Sequence, residues 1–185
     1  MDIKNVEDYI KEGVEARSSV DPKFIHEMGE DIAKRMLNGG KLILMGNGGS
    51  AADAQHIAAE FVCKFEKDRK PMPALALHAN TSSLTAIGND YGYDYVYSRQ
   101  IEAFASKNDI VIGISTSGNS ENVIKAIDKA NEIGCLTIIF TGRNGGKLAS
   151  KGKYILKVNN DRTSIIQEVH IAVGHIISKI VEDKI

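Results

Sequence analysis

A chain of 185 residues with 43% hydrophobic content is long enough for one well-buried domain and too short for two of ordinary size. Its net charge of −1, with acids and bases interspersed, leaves no basic face for nucleic acid and no polybasic tail for a membrane, so small molecules or other protein chains are the expected partners. Cys63 and Cys135 stand alone without metal-ligand spacing, and the N-terminal MDIKNVEDYIKEGVEA is charged and amphipathic rather than a signal core, which predicts a cytoplasmic protein with reduced thiols.

Residues 3–17 and 22–38 predict two amphipathic helices, the second opened by Pro22 and stopped at Asn38-Gly39-Gly40. A helix pair ahead of an α/β core has an apolar stripe to cover, and the same pair in a sister subunit would cover it, which predicts oligomerisation. The expected unit is a single domain over 1–185, with 1–38 as oligomerisation helices and 39–185 as the core. Lys41 to Phe61, KLILMGNGGSAADAQHIAAEF, then reads as a buried strand, a glycine turn at Gly46-Asn47-Gly48-Gly49-Ser50 and a helix over 49–63. Glycines let the backbone approach a ligand, and a helix start offers free N–H groups and a positive dipole end, so a phosphate is the natural guest. His56 and Glu60, four residues apart, project from one face of that helix as a metal-binding or acid–base pair. The glycine order is not GxGxxG, no acidic residue follows at the dinucleotide spacing, and no GKS/T is present, which argues against a dinucleotide or nucleoside triphosphate site. Read alone, the stretch also allows a plain tight turn with a packed histidine.

The charged stretch 64–70, ending at Pro71 and Pro73, reads as a solvated loop in which Lys64 or Arg69 could turn toward a ligand. A short strand is expected at 74–77, a helix at 81–88, and a polar loop over Gly88 to Tyr93, where Asp90 either accepts from sugar hydroxyls or caps the next helix. Residues 109–114 are the clearest strand, a run of β-branched residues after Asp109 as in a parallel sheet covered on both faces. It runs into Ser115-Thr116-Ser117-Gly118-Asn119-Ser120, a second anion cradle of neutral donors before a helix at 121–132, with an elaborate helix cap as the plainer alternative. Neutral donors suit a phosphate held as a handle better than one being transferred. A strand at 135–140, a turn at 141–146, a short helix at 147–151, a strand at 154–158 and a helix at 164–182 complete a mostly parallel α/β sheet. On that last helix Gln167, Ile171 and His175 recur at intervals of four, with His170 beside the row. Polar side chains on an apolar stripe need partners, and with His56 and Glu60 they would suit a divalent ion such as zinc, although Gln is an uncommon zinc ligand.

Five motifs in order, GNGGSAADAQHIAAEF, LTAIGNDYGYD, GISTSGNSENV, TGRNGGKLA and IIQEVHIAVGH, resemble the sugar isomerase (SIS) domain in its phosphoheptose isomerase branch, across nearly the whole chain. The resemblance implies a three-layer flavodoxin-like fold with a five-stranded parallel sheet, and a homotetramer whose sites combine neighbouring subunits. It implies conversion of sedoheptulose 7-phosphate to a heptose 7-phosphate, with Ser50, Ser115, Thr116, Ser117 and Ser120 on the phosphate. Asn47, Gly48, Gly49, Asn89 and Asp90 would contact the sugar, and Glu60 and Gln167 would also reach the substrate. The implied zinc, one per subunit, falls on His56, Glu60, Gln167 and His175, with Glu60 as base and His175 as acid or proton relay. Lys64 stands where many members have Arg, and Ser164 where some carry an acid. Other members of the same domain are replication-initiator-associating adaptors or sugar-phosphate sensors; the initiator-associating branch lacks the paired His and Glu that this chain retains.

Overall fold

The computed structural model describes residues 2–185; Met1, which opens the expected 1–185 unit, lies outside the described residues. Five strands, β1 (Leu42–Gly46), β2 (Ala74–Ala76), β3 (Ile110–Ser115), β4 (Leu136–Thr141) and β5 (Tyr154–Lys157), pair in parallel in the order β2-β1-β3-β4-β5. Every position of β1, β3 and β4 is buried, which only a sheet covered on both faces allows. Side chains alternate accordingly: Leu42 and Leu44 join one core, Ile43 and Met45 the other.

Helices α2 (Pro22–Leu37), α3 (Gly49–Val62) and α7 (Thr163–Glu182) cover the first face, joined by α1 (Ile3–Ser18) through Ala16 and Tyr9. Helices α4 (Thr81–Tyr91), α5 (Ser98–Phe104) and α6 (Glu121–Ile133) cover the second. The three layers and the sheet order are those of the expected flavodoxin-like class. By length and composition α7 could cross a membrane, but its apolar stripe, Ile165, Val169, Val173, Ile177 and Val181, is spent on the core.

Three boundaries differ from expectation. Gly88 does not stop α4, which continues to Tyr91 while Leu84 and Ile87 pack on the second core; Asn89 and Asp90 therefore sit on a helix end, not in a loop. Helix α5 was not anticipated, and it is held by Ile101 beneath the sheet. The short helix expected at 147–151 is a single 3-10 turn, Gly146–Leu148, entered through left-handed Gly145 (φ +71°) and ended as buried Leu148 anchors it.

The chain leaves β1 to reach β2 on one side, whereas β3 pairs on β1's other side. The carboxyl ends of β1 and β3 thus flank the point where strand order reverses, the usual crevice for a ligand in an open α/β sheet. The glycine turn and the hydroxyl-rich turn follow those two strands.

Candidate active site

At the end of β1 the backbone is too crowded for a side chain. A Cβ on Gly46 would lie 2.7 Å from the Ser50 backbone, and Gly48 takes φ +56° as the N-cap of α3. No side chain caps α3, so its positive end faces the crevice without a protein carboxylate or hydroxyl to neutralise it. Ser50 is buried beneath this turn.

The second turn has a different construction. Ser115 is the buried last residue of β3, and its Oγ lies 2.9 Å from Oγ of Ser120. Ser120 is the N-cap residue of α6 yet its side chain makes no capping bond, so these hydroxyls are not an elaborate helix cap. The Ser117 Oγ accepts the Asn119 N–H at 3.2 Å. Behind the turn, the Gly142 N–H donates to the Thr116 carbonyl at 2.9 Å and the Lys147 N–H to Asn119 Oδ1 at 3.0 Å. A Cβ on Gly118 would lie 1.9 Å from the Gly145 carbonyl oxygen, so the two loops fit only with glycine there.

The reactive side chains come from helix packing. A Cβ on Gly174 would lie 2.5 Å from Cδ1 of Ile57, and this missing methyl lets α7 lie close along α3. His175 then meets His56, Nε2 to Nε2 at 3.2 Å, and His56 Nε2 lies 3.0 Å from Glu60 Oε1. One ligand atom from each of the three falls within 4.8 Å of the others. Two ring nitrogens facing each other can share only one proton, and the carboxylate competes for the same His56 nitrogen. A cation bound by all three would satisfy each lone pair, and two imidazoles with one carboxylate fit a borderline divalent ion. The Gln167 carboxamide, two turns before His175 on α7, lies against Gly49, where a Cβ would be 2.6 Å from its Nε2.

Asp53, one turn before His56 on α3, carries a signal that sequence reading passed over. Burial pushes its carboxyl up to about 6 against the pull of His56, and its Oδ2 is buried without a hydrogen-bond partner among the described residues. His170 faces inward, away from the cluster. It is fully buried beside Phe140, with Nε2 3.2 Å from the Thr141 carbonyl oxygen, and burial lowers its pKa to about 4.

The charged stretch 64–70 is more than a solvated loop. The buried Glu182 carboxylate, in the last turn of α7, accepts the N–H groups of Phe65, Glu66 and Lys67 at 2.8–3.0 Å and Arg69 Nε at 3.1 Å. Arg69 also donates to the carbonyls of Phe61 and Glu60, at 2.9 and 2.7 Å, so it ties the loop to α3 instead of facing a ligand, while Lys64 is exposed. The same loop stacks Phe65 on His175, ring centroids 5.7 Å apart. Phe65 and Glu182 escaped the sequence because their partners lie more than a hundred residues away.

Asn89 and Asp90 are exposed at the end of α4. Asp90 accepts from its neighbour Asn89 at 2.8 Å, and the N-cap of the next turn is Gly92, so Asp90 caps nothing. Three residues beyond Asp90, past Gly92, the hydroxyl of Tyr93 donates to Asn47 Oδ1 at 3.1 Å, which brings this segment to the glycine turn.

The SIS domain family model matches residues 4–142. The phosphoheptose isomerase of Aquifex aeolicus is 53% identical over 154 residues, 83% of this chain and 81% of that one. That of Clostridium acetobutylicum is 48% identical over 185 aligned positions, 97% of this chain and 94% of its own. Among solved structures, the phosphoheptose isomerase of Neisseria gonorrhoeae superposes with a TM-score of 0.91 at 40% identity, covering 97% of this chain and 98% of that one. With the family model over residues 4–142 and relatives about half identical over most or nearly all of its length, the chain belongs to the SIS domain family, in its phosphoheptose isomerase branch.

Proposed function

We propose that this enzyme interconverts sedoheptulose 7-phosphate and D-glycero-D-manno-heptose 7-phosphate, a ketose–aldose isomerisation through an enediol. The observation that carries the reading is the meeting of His56 and Glu60, on the helix that starts at the glycine turn, with His175 of α7. The phosphate rests on Ser50, Ser115, Thr116, Ser117 and Ser120, and the sugar on Asn47, Gly48, Gly49, Asn89, Asp90 and Gln167. Neutral hydroxyls and backbone N–H groups hold a phosphate without drawing charge from its ester bond, as a handle requires.

Glu60 takes the proton from C1. The electron pair forms the C1–C2 double bond, and His175 protonates O2 as the carbonyl opens. His175 then takes the proton from O1 while Glu60 returns one to C2, and the aldose results. His56, Glu60, Gln167 and His175 would hold a zinc ion, one per subunit. Such an ion supplies Lewis acidity toward the oxygens that gain charge. Phe65 keeps the His175 ring in place and screens it from water, and Lys64 offers the substrate a point charge where an arginine would grip with two N–H groups.

The chain is read as one domain whose first 38 residues serve assembly into a homotetramer. Ile3, Val6, Ile10 and Val14 form an exposed stripe on α1, spaced to meet an identical stripe. Location in the cytoplasm, and supply of ADP- or GDP-heptose for surface polysaccharide such as lipopolysaccharide or capsule, belong to the same reading.

NMR of the purified protein with sedoheptulose 7-phosphate, with and without a chelator, tests the proposal. Aldose signals that vanish with chelation and return with zinc are expected; a ketose spectrum unchanged in both samples would refute the activity, and turnover indifferent to chelation would refute the metal.

A further inference from the structure

The two anion turns follow different strands, and one pair of carboxamides joins them. Asn47 in the glycine turn donates from Nδ2 to Asn122 Oδ1 at 2.9 Å, and Asn122 donates back from Nδ2 to Asn47 Oδ1 at 3.0 Å. Asn122 is buried in the first turn of α6, two residues past Ser120, and its Oδ1 also accepts the Val123 N–H at 2.9 Å. On the other side, the Tyr93 hydroxyl donates to Asn47 Oδ1 at 3.1 Å. Asn47 Oδ1 therefore receives two donors, which fills both of its lone pairs, and a single N–H of its carboxamide remains for any ligand.

We propose that Asn122 and Tyr93 are positioning residues for the substrate phosphate, acting through Asn47 to lock the glycine turn and the hydroxyl turn into one rigid cradle. Three observations lead there. Asn47 spends most of its hydrogen-bonding capacity on protein partners. The bond lies just beyond the last rung of the β1–β3 ladder, Gly46 opposite Ile114, where both chains have turned out of the sheet and no further rung joins them. And Tyr93 is more than half exposed, so its bond to Asn47 is not imposed by burial in a core. Two cradles free to shift would have to be ordered by the ligand at a cost in affinity; cradles already fixed do not impose that cost.

This inference rests on the isomerase reading, and its test keeps the two apart. Tyr93→Phe, Asn122→Ala, Asn47→Ala and the Asn47→Ala/Asn122→Ala double variant are compared with the unaltered protein for KM, kcat and inhibition by inorganic phosphate. The link involves none of His56, Glu60 and His175, so in Tyr93→Phe and Asn122→Ala, which keep the Asn47 side chain for the sugar, KM and the inhibition constant for inorganic phosphate should rise in parallel. A lost neutral hydrogen bond predicts a rise of about threefold to tenfold in Tyr93→Phe, and a lost amide pair more than about tenfold in Asn122→Ala, with kcat changed less than either. The double variant should match the worse single one, because the pair acts as a unit. Parallel effects that simply multiply in the double variant, or a KM within twofold of the unaltered protein in Tyr93→Phe and Asn122→Ala, would overturn the proposal. Should Asn122→Ala fail to fold, Tyr93→Phe decides alone. If the unaltered protein does not turn over the sugar phosphate, the isomerase reading fails, and calorimetric titration of inorganic phosphate into the same variants still decides on the cradle.

Discussion

The proposed phosphate cradle and the proposed reactive cluster share helix α3 but are built by opposite means. In the cradle, backbone shapes each turn through strand ends, left-handed Gly48 and Gly118, and a loop-to-loop contact too close for any Cβ at Gly118, and the Asn47–Asn122 pair joins the two turns. In the cluster, three side chains, one of them half exposed, are brought together only by how tightly α7 lies on α3. Local sequence can specify the first, because a glycine turn is chemistry over six residues. It cannot specify the second, whose geometry depends on a histidine 119 residues away on another helix. The cradle should therefore tolerate changes to helix packing that disable the cluster.

The largest expected effect separates chemistry from binding. Glu60→Gln should lower kcat by about 10²–10⁴-fold with the inhibition constant for inorganic phosphate unchanged; steady-state kinetics at matched zinc content checks this. Gly174→Val comes next. With only 2.5 Å available to its Cβ, α7 must move off α3, and a shift of about 1 Å can cost about 100-fold in turnover. Overpacking should also cost about 1–3 kcal/mol of stability. Phosphate inhibition is again expected to hold, so a parallel loss of phosphate affinity would show that cradle and cluster are not separable. Ile10→Glu and Val14→Glu place charges on the exposed stripe of α1 and should reduce the assembly to smaller species in light scattering, with the monomer fold intact by circular dichroism.

The smallest effect concerns His170 and appears only in acid. Burial holds its pKa at about 4 when folded, against an ordinary value of 6.5. Between those pH values the unfolded chain binds a proton that the folded chain refuses, so stability is whole above pH 6.5 and falls as pH drops, by about 3 kcal/mol at most. Asp53, raised to about 6 from 3.8, acts in the reverse sense: the folded chain takes up its proton first and gains stability as pH falls from 6 toward 4. His170→Asn should remove the first slope and leave the second, read from thermal midpoints across pH 4–7. A His170→Asn protein that lost stability in acid as steeply as the unaltered one would place the acid sensitivity elsewhere.

How much of this was legible from sequence follows the same division. The strand–glycine–helix order, the hydroxyl run and the His56–Glu60 pair are local patterns, and the structure keeps each where it was expected. Helix α5 was missed because its seven residues offer only Ile101 as a core anchor, too short a stretch for periodicity. Gly88 misled because glycine usually ends a helix, whereas here the packing of Leu84 and Ile87 carries it on. Arg69 read as a loop charge because its partner Glu182 lies 113 residues on.

The central claim is that cradle and cluster act on one and the same substrate molecule. Sedoheptulose 7-phosphate incubated with the zinc-loaded protein in D₂O and followed by ¹H and ¹³C NMR tests it most directly. The account expects aldose heptose 7-phosphate carrying deuterium at C2, formed at a rate that Glu60→Gln abolishes and inorganic phosphate competitively slows. Ketose that neither exchanges its C1 protons nor yields aldose, while inorganic phosphate still binds, would contradict it and leave a protein that holds sugar phosphates without converting them.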